Sequence, residues 1–124
     1  MDTKLILVID DDRAVRDAFD LALSEDYEVQ LAESGEKGLD LARNRKPDLV
    51  FLDLNMPGMD GVETLCRLND LDIKIKVYIV TAFAQDYMQG LRAAKDRGTK
   101  FQLAAKPLDA KQIRAIAGIM TQDA

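Results

Sequence analysis

The chain has 124 residues and a formal charge of −5, from 17 basic and 22 acidic side chains, with one cysteine and no histidine. This length corresponds to a single domain. An acidic chain lacks the basic face that binds nucleic acids or anionic membranes, so we expect neither as a partner. One cysteine excludes an internal disulfide bond, and the absence of histidine excludes histidine-based zinc sites and Ser-His-Asp triads. The first apolar segment is too short for a signal peptide or membrane span, which favours a cytoplasmic protein.

Five apolar segments alternate with five segments of helical periodicity. The apolar segments predict strands at Leu5–Ile9, Glu28–Ala32, Leu49–Leu52, Val77–Val80 and Phe101–Ala105. The periodic segments predict helices that include Val15–Leu23, Glu36–Arg43, Val62–Leu68, Tyr87–Ala94 and Ile113–Met120. Strands and helices that alternate in this way predict an α/β fold, with a parallel sheet and helices on both of its faces.

The polarity of the strands predicts their order. The first, third and fourth strands are continuously apolar, which is typical of strands covered on both faces. The second strand alternates apolar and polar residues, and Gln102 interrupts the fifth, so these two are the expected edges. With right-handed crossovers, this predicts a doubly wound (βα)5 sheet of order 2-1-3-4-5. Such sheets bind ligands where the winding reverses, at the carboxyl ends of the first and third strands.

Helix starts are marked by capping residues. The predicted N-caps are Asp12, Ser34, Asp60 and Asp109. Glu63 and Gln112 follow two of these caps by three residues, a spacing that predicts capping boxes.

Polar side chains follow four of the predicted strands. Asp10–Asp12 come after the first, Asp53 after the third, Thr81 ends the fourth, and Lys106 follows the fifth. Each alone is adequately explained as a cap, a turn residue or a strand former, but four at one sheet edge favour a functional site. Two carboxylates about 4 Å apart repel by roughly 4 kcal/mol at an effective dielectric constant of about 20, and one lysine cannot neutralise three. A hard divalent cation, Mg²⁺, is the expected complement.

Four segments carry a resemblance to a known family. They are Leu7–Asp12, Val50–Gly61, Val80–Ala82 and Lys106–Pro107. Together they resemble the receiver domain of bacterial two-component response regulators, with the length of the single-domain chemotaxis type. The resemblance covers nearly the whole chain. It implies a flavodoxin-like fold and one receiver domain over residues 1–124.

The resemblance also implies a role for each site residue. Asp53 is the implied phosphoacceptor. Asp11 and Asp53 would bind Mg²⁺ directly, Asp10 mainly through a bound water, and Asn55 through its backbone carbonyl.

Two further residues would act on the phosphoryl group itself. Lys106 would pair with it, and Thr81 would hydrogen-bond one of its oxygens and move when Asp53 is phosphorylated. The peptide bond between Lys106 and Pro107 is expected to be cis, as it is in the family.

The implied function is that of a phosphorylated switch. Because the chain has no histidine, the phosphoryl donor would be a sensor histidine kinase, a histidine phosphotransfer protein or a small phosphodonor. Phosphorylation would change the binding of a downstream effector protein. The chain would catalyse only its own phosphorylation and dephosphorylation.

Two other function classes stay open. A phosphatase with an aspartyl nucleophile would need an acidic residue two positions after Asp53, where this chain has Asn55. A DNA-binding regulator would need an effector domain beyond the fifth helix. The chain could also be a fragment of a longer regulator or of a hybrid kinase.

The output side departs from the family pattern. Leu103 stands where the family commonly has an aromatic residue, and the segment from Thr81 to Lys106 is a few residues longer than usual. Phe83, Tyr87 and Phe101 are the nearest aromatic substitutes in sequence. We therefore expect phosphorylation to perturb the Thr81–Tyr87 segment more than Leu103.

Overall fold

A parallel sheet with helices on both faces forms the protein in the computed structural model, which describes residues 3–122. The strands are β1 (Leu5–Ile9), β2 (Glu28–Ala32), β3 (Leu49–Leu52), β4 (Lys76–Thr81) and β5 (Gln102–Ala105). The helices are α1 (Arg13–Leu23), α2 (Gly35–Asn44), α3 (Gly61–Leu71), α4 (Met88–Asp96) and α5 (Ala110–Met120). A short 3-10 turn, Ala84–Tyr87, precedes α4. The strand order is β2-β1-β3-β4-β5, which confirms the predicted α/β topology and both edge strands.

The two faces of the sheet are covered by different helices. On one face, α1 and α5 pack against a cluster that includes Phe19, Phe51 and Ile113. The rings of Phe19 and Phe51 lie 4.9 Å apart between their centroids. On the other face, α2, α3 and α4 contribute residues such as Leu65 and Leu91 to the second cluster. Every residue of β1 and β3 is buried, because both faces of these strands are covered.

Capping residues begin four of the helices as the sequence predicts. The side chains that accept from backbone N–H groups of the first turn are those of Asp12, Ser34, Asp60 and Asp109. The capping box is complete at α5, where the Gln112 side chain accepts from the Asp109 N–H at 2.9 Å. The box predicted at α3 is wrong. Glu63 pairs instead with Arg67 at 2.7 Å, one helical turn further on.

The segment between β4 and α4 differs from the single helix that the periodicity predicts. Tyr87 lies at the end of the 3-10 turn and not inside α4. The Phe83 N–H donates to the hydroxyl oxygen of Thr81 at 3.2 Å, and the Asp86 N–H donates to the Phe83 carbonyl three residues earlier at 3.0 Å. These two bonds draw the chain into the tighter turn before α4 begins. β5 also starts one residue later than predicted, after Phe101.

Gly61 allows α3 to start directly against the loop that follows β3. A Cβ atom at this position would lie 2.3 Å from the Cα of Leu54 and 2.8 Å from the carbonyl oxygen of Asp53. Both are backbone atoms that cannot move aside without displacing the loop. The absence of a side chain at Gly61 therefore keeps Asp53 close to the start of α3.

The helices between residues 3 and 122 are all too short or too polar to cross a membrane.

Candidate functional site

Neighbouring strands bring three aspartates together at the carboxyl edge of the sheet. Ile9 of β1 pairs with Leu52 of β3, so the residues that follow them lie side by side. The Asp53 N–H donates to the Ile9 carbonyl at 2.9 Å and extends this pairing past the strand. One carboxylate oxygen each from Asp10, Asp11 and Asp53 lies within 4.8 Å of the other two. The structure therefore unites the carboxylates that the sequence places at the switch point.

The donor set suits a hard divalent cation. Asp10 and Asp53 are buried, with 3% and 6% of their surface exposed, and Asp11 is open to solvent. Oxygen ligands with one solvent-facing side match Mg²⁺, which binds a few carboxylates and keeps several of its waters. Three carboxylates in so small a volume also carry a repulsion that a divalent cation would relieve.

Lys106 is the cation that reaches this cluster from the end of β5. Its Nζ lies 2.8 Å from Asp10 Oδ2 and 3.5 Å from Asp53 Oδ2. The Lys106 N–H donates to the carbonyl of Thr81 at 3.1 Å, and the bond to Pro107 is cis, as expected. One lysine balances one of the three carboxylates, so the cluster keeps net negative charge.

Burial and charge shift the pKa values of the central pair in ways that matter for metal binding. Burial is the largest cause that raises the pKa of Asp53, and the neighbouring charge of Asp10 adds to it, while Lys106 and the Asn55 N–H oppose it. Burial by itself would lower the pKa of Lys106. The hydrogen bond and charge of Asp10, together with Asp53, outweigh that effect and raise it, so Lys106 is protonated at neutral pH.

The Asp53→Asn variant should be more stable than the parent in metal-free buffer at neutral pH. Because the pKa of Asp53 is raised on folding, the folded state binds more protons than the unfolded state, and ionisation costs stability. The advantage of the variant should be absent below the ordinary carboxyl pKa of 3.8. The difference in unfolding free energy should grow as the pH rises from this value through the pKa of Asp53 in the folded protein. Above that pKa it should reach its full size. Thermal or urea unfolding with chelator across this pH range measures it.

The matched control is Asp70→Asn, which removes a carboxylate from the exposed surface of α3. It should change stability little at any of these pH values. Equal or lower stability of Asp53→Asn at neutral pH would contradict the expectation.

Thr81 and Asn55 complete the set of predicted site residues. Thr81 ends β4, is fully buried, and accepts the Phe83 N–H on its hydroxyl oxygen. The Asn55 N–H points to Asp53 Oδ1 at a distance of 3.4 Å. The Asn55 side chain accepts a hydrogen bond from the hydroxyl of Tyr87 at 3.2 Å. All the residues predicted for the site thus lie at or just after the carboxyl ends of strands, at one edge of the sheet.

Two contacts at this edge were missed by sequence reasoning. Arg16 Nη1 donates to the backbone carbonyl of Asp10 at 2.8 Å, which brings a second cation beside the carboxylates. Its position one turn after the N-cap Asp12 is the signal that could have indicated it. The hydrogen bond from Tyr87 to Asn55 joins residues 32 positions apart, and no sequence pattern predicts it.

The side chains expected to respond to phosphorylation are partly open to solvent. Leu103 pairs with Ile79 in the sheet and has 39% of its surface exposed. Phe83 is also largely exposed, at 48%. Phe101 precedes β5 and therefore lies toward the opposite edge of the sheet from Asp53.

An open parallel sheet whose switch point holds clustered carboxylates and a lysine defines a class of doubly wound α/β proteins with an acidic ligand site. Comparison with known proteins places the chain within that class. The sequence model described as "Response regulator receiver domain" matches residues 6–117. The chain belongs to the response regulator receiver domain family, which acts as phosphoacceptor in two-component signalling.

Individual relatives agree with this assignment. Sporulation initiation phosphotransferase F of Bacillus subtilis is 36% identical over 110 residues, which cover 88% of this chain and 86% of that protein. Transcriptional regulatory protein AfsQ1 of Streptomyces coelicolor is 37% identical over 114 residues, covering 90% of this chain but only 50% of that protein. A solved CheY-like receiver domain from Methanospirillum hungatei superposes with a TM-score of 0.84 at 27% identity and covers 96% of this chain and 94% of its own.

Proposed function

We propose that the chain, residues 1–124, is a Mg²⁺-dependent phosphorylated switch in which Asp53 accepts a phosphoryl group from a phosphohistidine on a partner protein. The observation that carries this proposal is the convergence of Asp10, Asp11 and Asp53 within 4.8 Å with Lys106 bound to two of them. The donor is a sensor histidine kinase or a histidine phosphotransfer protein, and the chain acts in the cytoplasm.

The metal would be held by Asp10, Asp11, Asp53 and the backbone carbonyl of Asn55. When bound, Mg²⁺ supplies positive charge that offsets the charge of the phosphoryl oxygens. Asp11 and Asp53 would be the direct carboxylate ligands, and Asp10 would act mainly through a water. The raised pKa of Asp53 fits this role. The site disfavours the Asp53 carboxylate when no metal is present, and a bound cation would stabilise that carboxylate.

Phosphoryl transfer begins with an oxygen of the Asp53 carboxylate, which attacks phosphorus opposite the leaving nitrogen. The new P–O bond forms as the P–N bond of phosphohistidine breaks, and the imidazole nitrogen keeps the electron pair. Lys106 neutralises charge on the transferring oxygens. Thr81 can donate its hydroxyl proton to one of them while it still accepts from the Phe83 N–H.

Dephosphorylation uses the same geometry. A water oxygen attacks phosphorus, the P–O bond to Asp53 breaks, and inorganic phosphate leaves while Asp53 is restored as a carboxylate. The proton of the attacking water passes to the phosphate. The side chain of Asn55 is an amide that accepts from Tyr87, so it cannot act as the general acid of an aspartyl phosphatase. The chain therefore turns over only its own phosphoryl group.

The phosphorylated state would be read by an effector protein through direct contact. A phosphoryl group adds up to about two negative charges at an edge that is already acidic. The charge of −5 disfavours direct nucleic-acid binding by this chain.

Intact mass spectrometry of the full chain tests the proposal. Incubation with a small acyl phosphate and Mg²⁺ should add the mass of one phosphoryl group. Excess chelator should prevent the gain, and the added mass should disappear with time once the donor is removed. A chain that gains no mass with Mg²⁺, or that gains it equally in chelator, would contradict the proposed function.

A further inference from the structure

The 3-10 turn Ala84–Tyr87 is attached to the site at both of its ends. At its start, the Phe83 N–H is bound to the Thr81 hydroxyl at 3.2 Å. At its end, the Tyr87 hydroxyl donates to the side chain of Asn55 at 3.2 Å. The turn continues directly into α4, so both attachments lie at the beginning of that helix.

Asn55 connects Tyr87 to the phosphoacceptor itself. Its backbone N–H points to Asp53 Oδ1 at 3.4 Å, and its side chain holds Tyr87. A group added to either oxygen of the Asp53 carboxylate changes the charge on the oxygen that faces this N–H, so the contact of Asn55 with Asp53 depends on the state of Asp53. Any movement of Asn55 is passed to the side chain that holds the tyrosine. Burial, followed by the charges of Asp60, Asp53 and Asp86, raises the pKa of Tyr87, so its hydroxyl keeps its proton and remains a donor.

The helix beyond Tyr87 is positioned to respond. Gly90 of α4 lies against Val62 of α3, where a Cβ atom would be in ordinary van der Waals contact with both methyl carbons of the valine, at 3.4 Å. A groove of about 640 Å³ runs between α3 and α4 and is lined by residues that include Tyr87, Cys66 and Arg97. A shift of Tyr87 would therefore change this groove.

We propose that Tyr87 is a positioning residue whose hydrogen bond to Asn55 transmits the state of Asp53 to α4, in place of an aromatic residue on β5. Leu103 carries no hydroxyl and is partly exposed, and Phe101 lies toward the other sheet edge. The aromatic side chain of Tyr87, in contrast, hydrogen-bonds a residue of the site. The inference rests on the proposed function of Asp53, since it concerns how phosphorylation is read out.

The Tyr87→Phe variant removes the hydroxyl and keeps the ring. Amide NMR spectra are recorded with Mg²⁺, before and after addition of beryllium fluoride as a phosphoryl mimic. In the parent, amides of Asn55 and of the 84–94 segment should shift. In Tyr87→Phe, the shifts within residues 88–94 should fall at least twofold while the Asn55 amide still responds, because one hydrogen bond of ordinary strength changes an equilibrium constant by roughly two- to tenfold.

Two further variants distinguish loss of the Tyr87–Asn55 hydrogen bond from a general effect of removing a tyrosine hydroxyl. Tyr27→Phe removes a tyrosine hydroxyl between α1 and β2, at the opposite sheet edge, and should leave the α4 response at its parental size. Asn55→Ala should reduce the response as Tyr87→Phe does, and the double variant should lose no more than either single one. An undiminished α4 response in Tyr87→Phe, additive losses in the double variant, or an equal loss in Tyr27→Phe would each overturn the inference.

Intact mass distinguishes this inference from the proposed function. Tyr87→Phe should still gain one phosphoryl group from an acyl phosphate and Mg²⁺. If the parent gains none, the proposed function has failed. If both proteins gain it and α4 responds equally in both, only the role of Tyr87 has failed.

Discussion

Asp53→Asn should take up no phosphoryl group under conditions in which the parent is labelled. The substitution replaces an anionic oxygen nucleophile by a neutral amide of nearly the same shape, which cannot form the acyl phosphate. It also removes one of the three carboxylates that lie within 4.8 Å of one another. We expect complete loss of the mass gain, measured on the intact chain after incubation with an acyl phosphate and Mg²⁺.

Asp12→Asn is the matched control for this loss. Asp12 belongs to the same aspartate run, but its carboxylate caps α1 by accepting from the Ala14 N–H at 2.9 Å. Asparagine caps helices about as well as aspartate. This variant should therefore be labelled like the parent. Full labelling of Asp53→Asn would show that another residue is the phosphoacceptor.

Asp11→Ala should weaken Mg²⁺ binding far more than Asn55→Ala. Asp11 offers a charged oxygen, whereas Asn55 would bind through a backbone carbonyl that alanine retains. A unit charge and a divalent ion about 4 Å apart attract by roughly 2 kcal/mol even at the dielectric constant of water, so we expect at least about a tenfold loss of affinity for Asp11→Ala. Calorimetric titration of each variant with Mg²⁺ measures the two affinities.

The same pair of variants offers an internal check in the absence of metal. Removing Asp11 relieves repulsion within the carboxylate cluster, so the metal-free Asp11→Ala protein should be at least as stable as the parent. Asn55→Ala loses the acceptor of the Tyr87 hydroxyl and removes no charge from the cluster, so it gains no stability in this way.

The Mg²⁺ titration has one outcome that contradicts the assignment. If Asn55→Ala binds Mg²⁺ more weakly than Asp11→Ala, the assignment of the ligands is wrong.

The backbone framework of this protein was predictable from local patterns. Continuous apolar segments identified β1 and β3 as buried strands, and the polar residues of β2 and β5 identified the edges. Parallel strands place their carboxyl ends at one edge, so the convergence of Asp10 and Asp53 followed from the strand order alone. The specific role of each site residue came from the resemblance to a family, because spacing cannot distinguish a phosphoacceptor from another carboxylate.

Local patterns of polarity along the chain predict which elements form, in what order they pair, and which side chains share the carboxyl edge. These properties follow from periodicity, burial and chain direction, which act along the backbone. Only the packed fold places Tyr87 at the end of a 3-10 turn with its hydroxyl on Asn55. This contact joins the ends of two side chains on separately packed segments. It depends on side-chain rotamers and on the approach of α4 to α3, which no local pattern encodes.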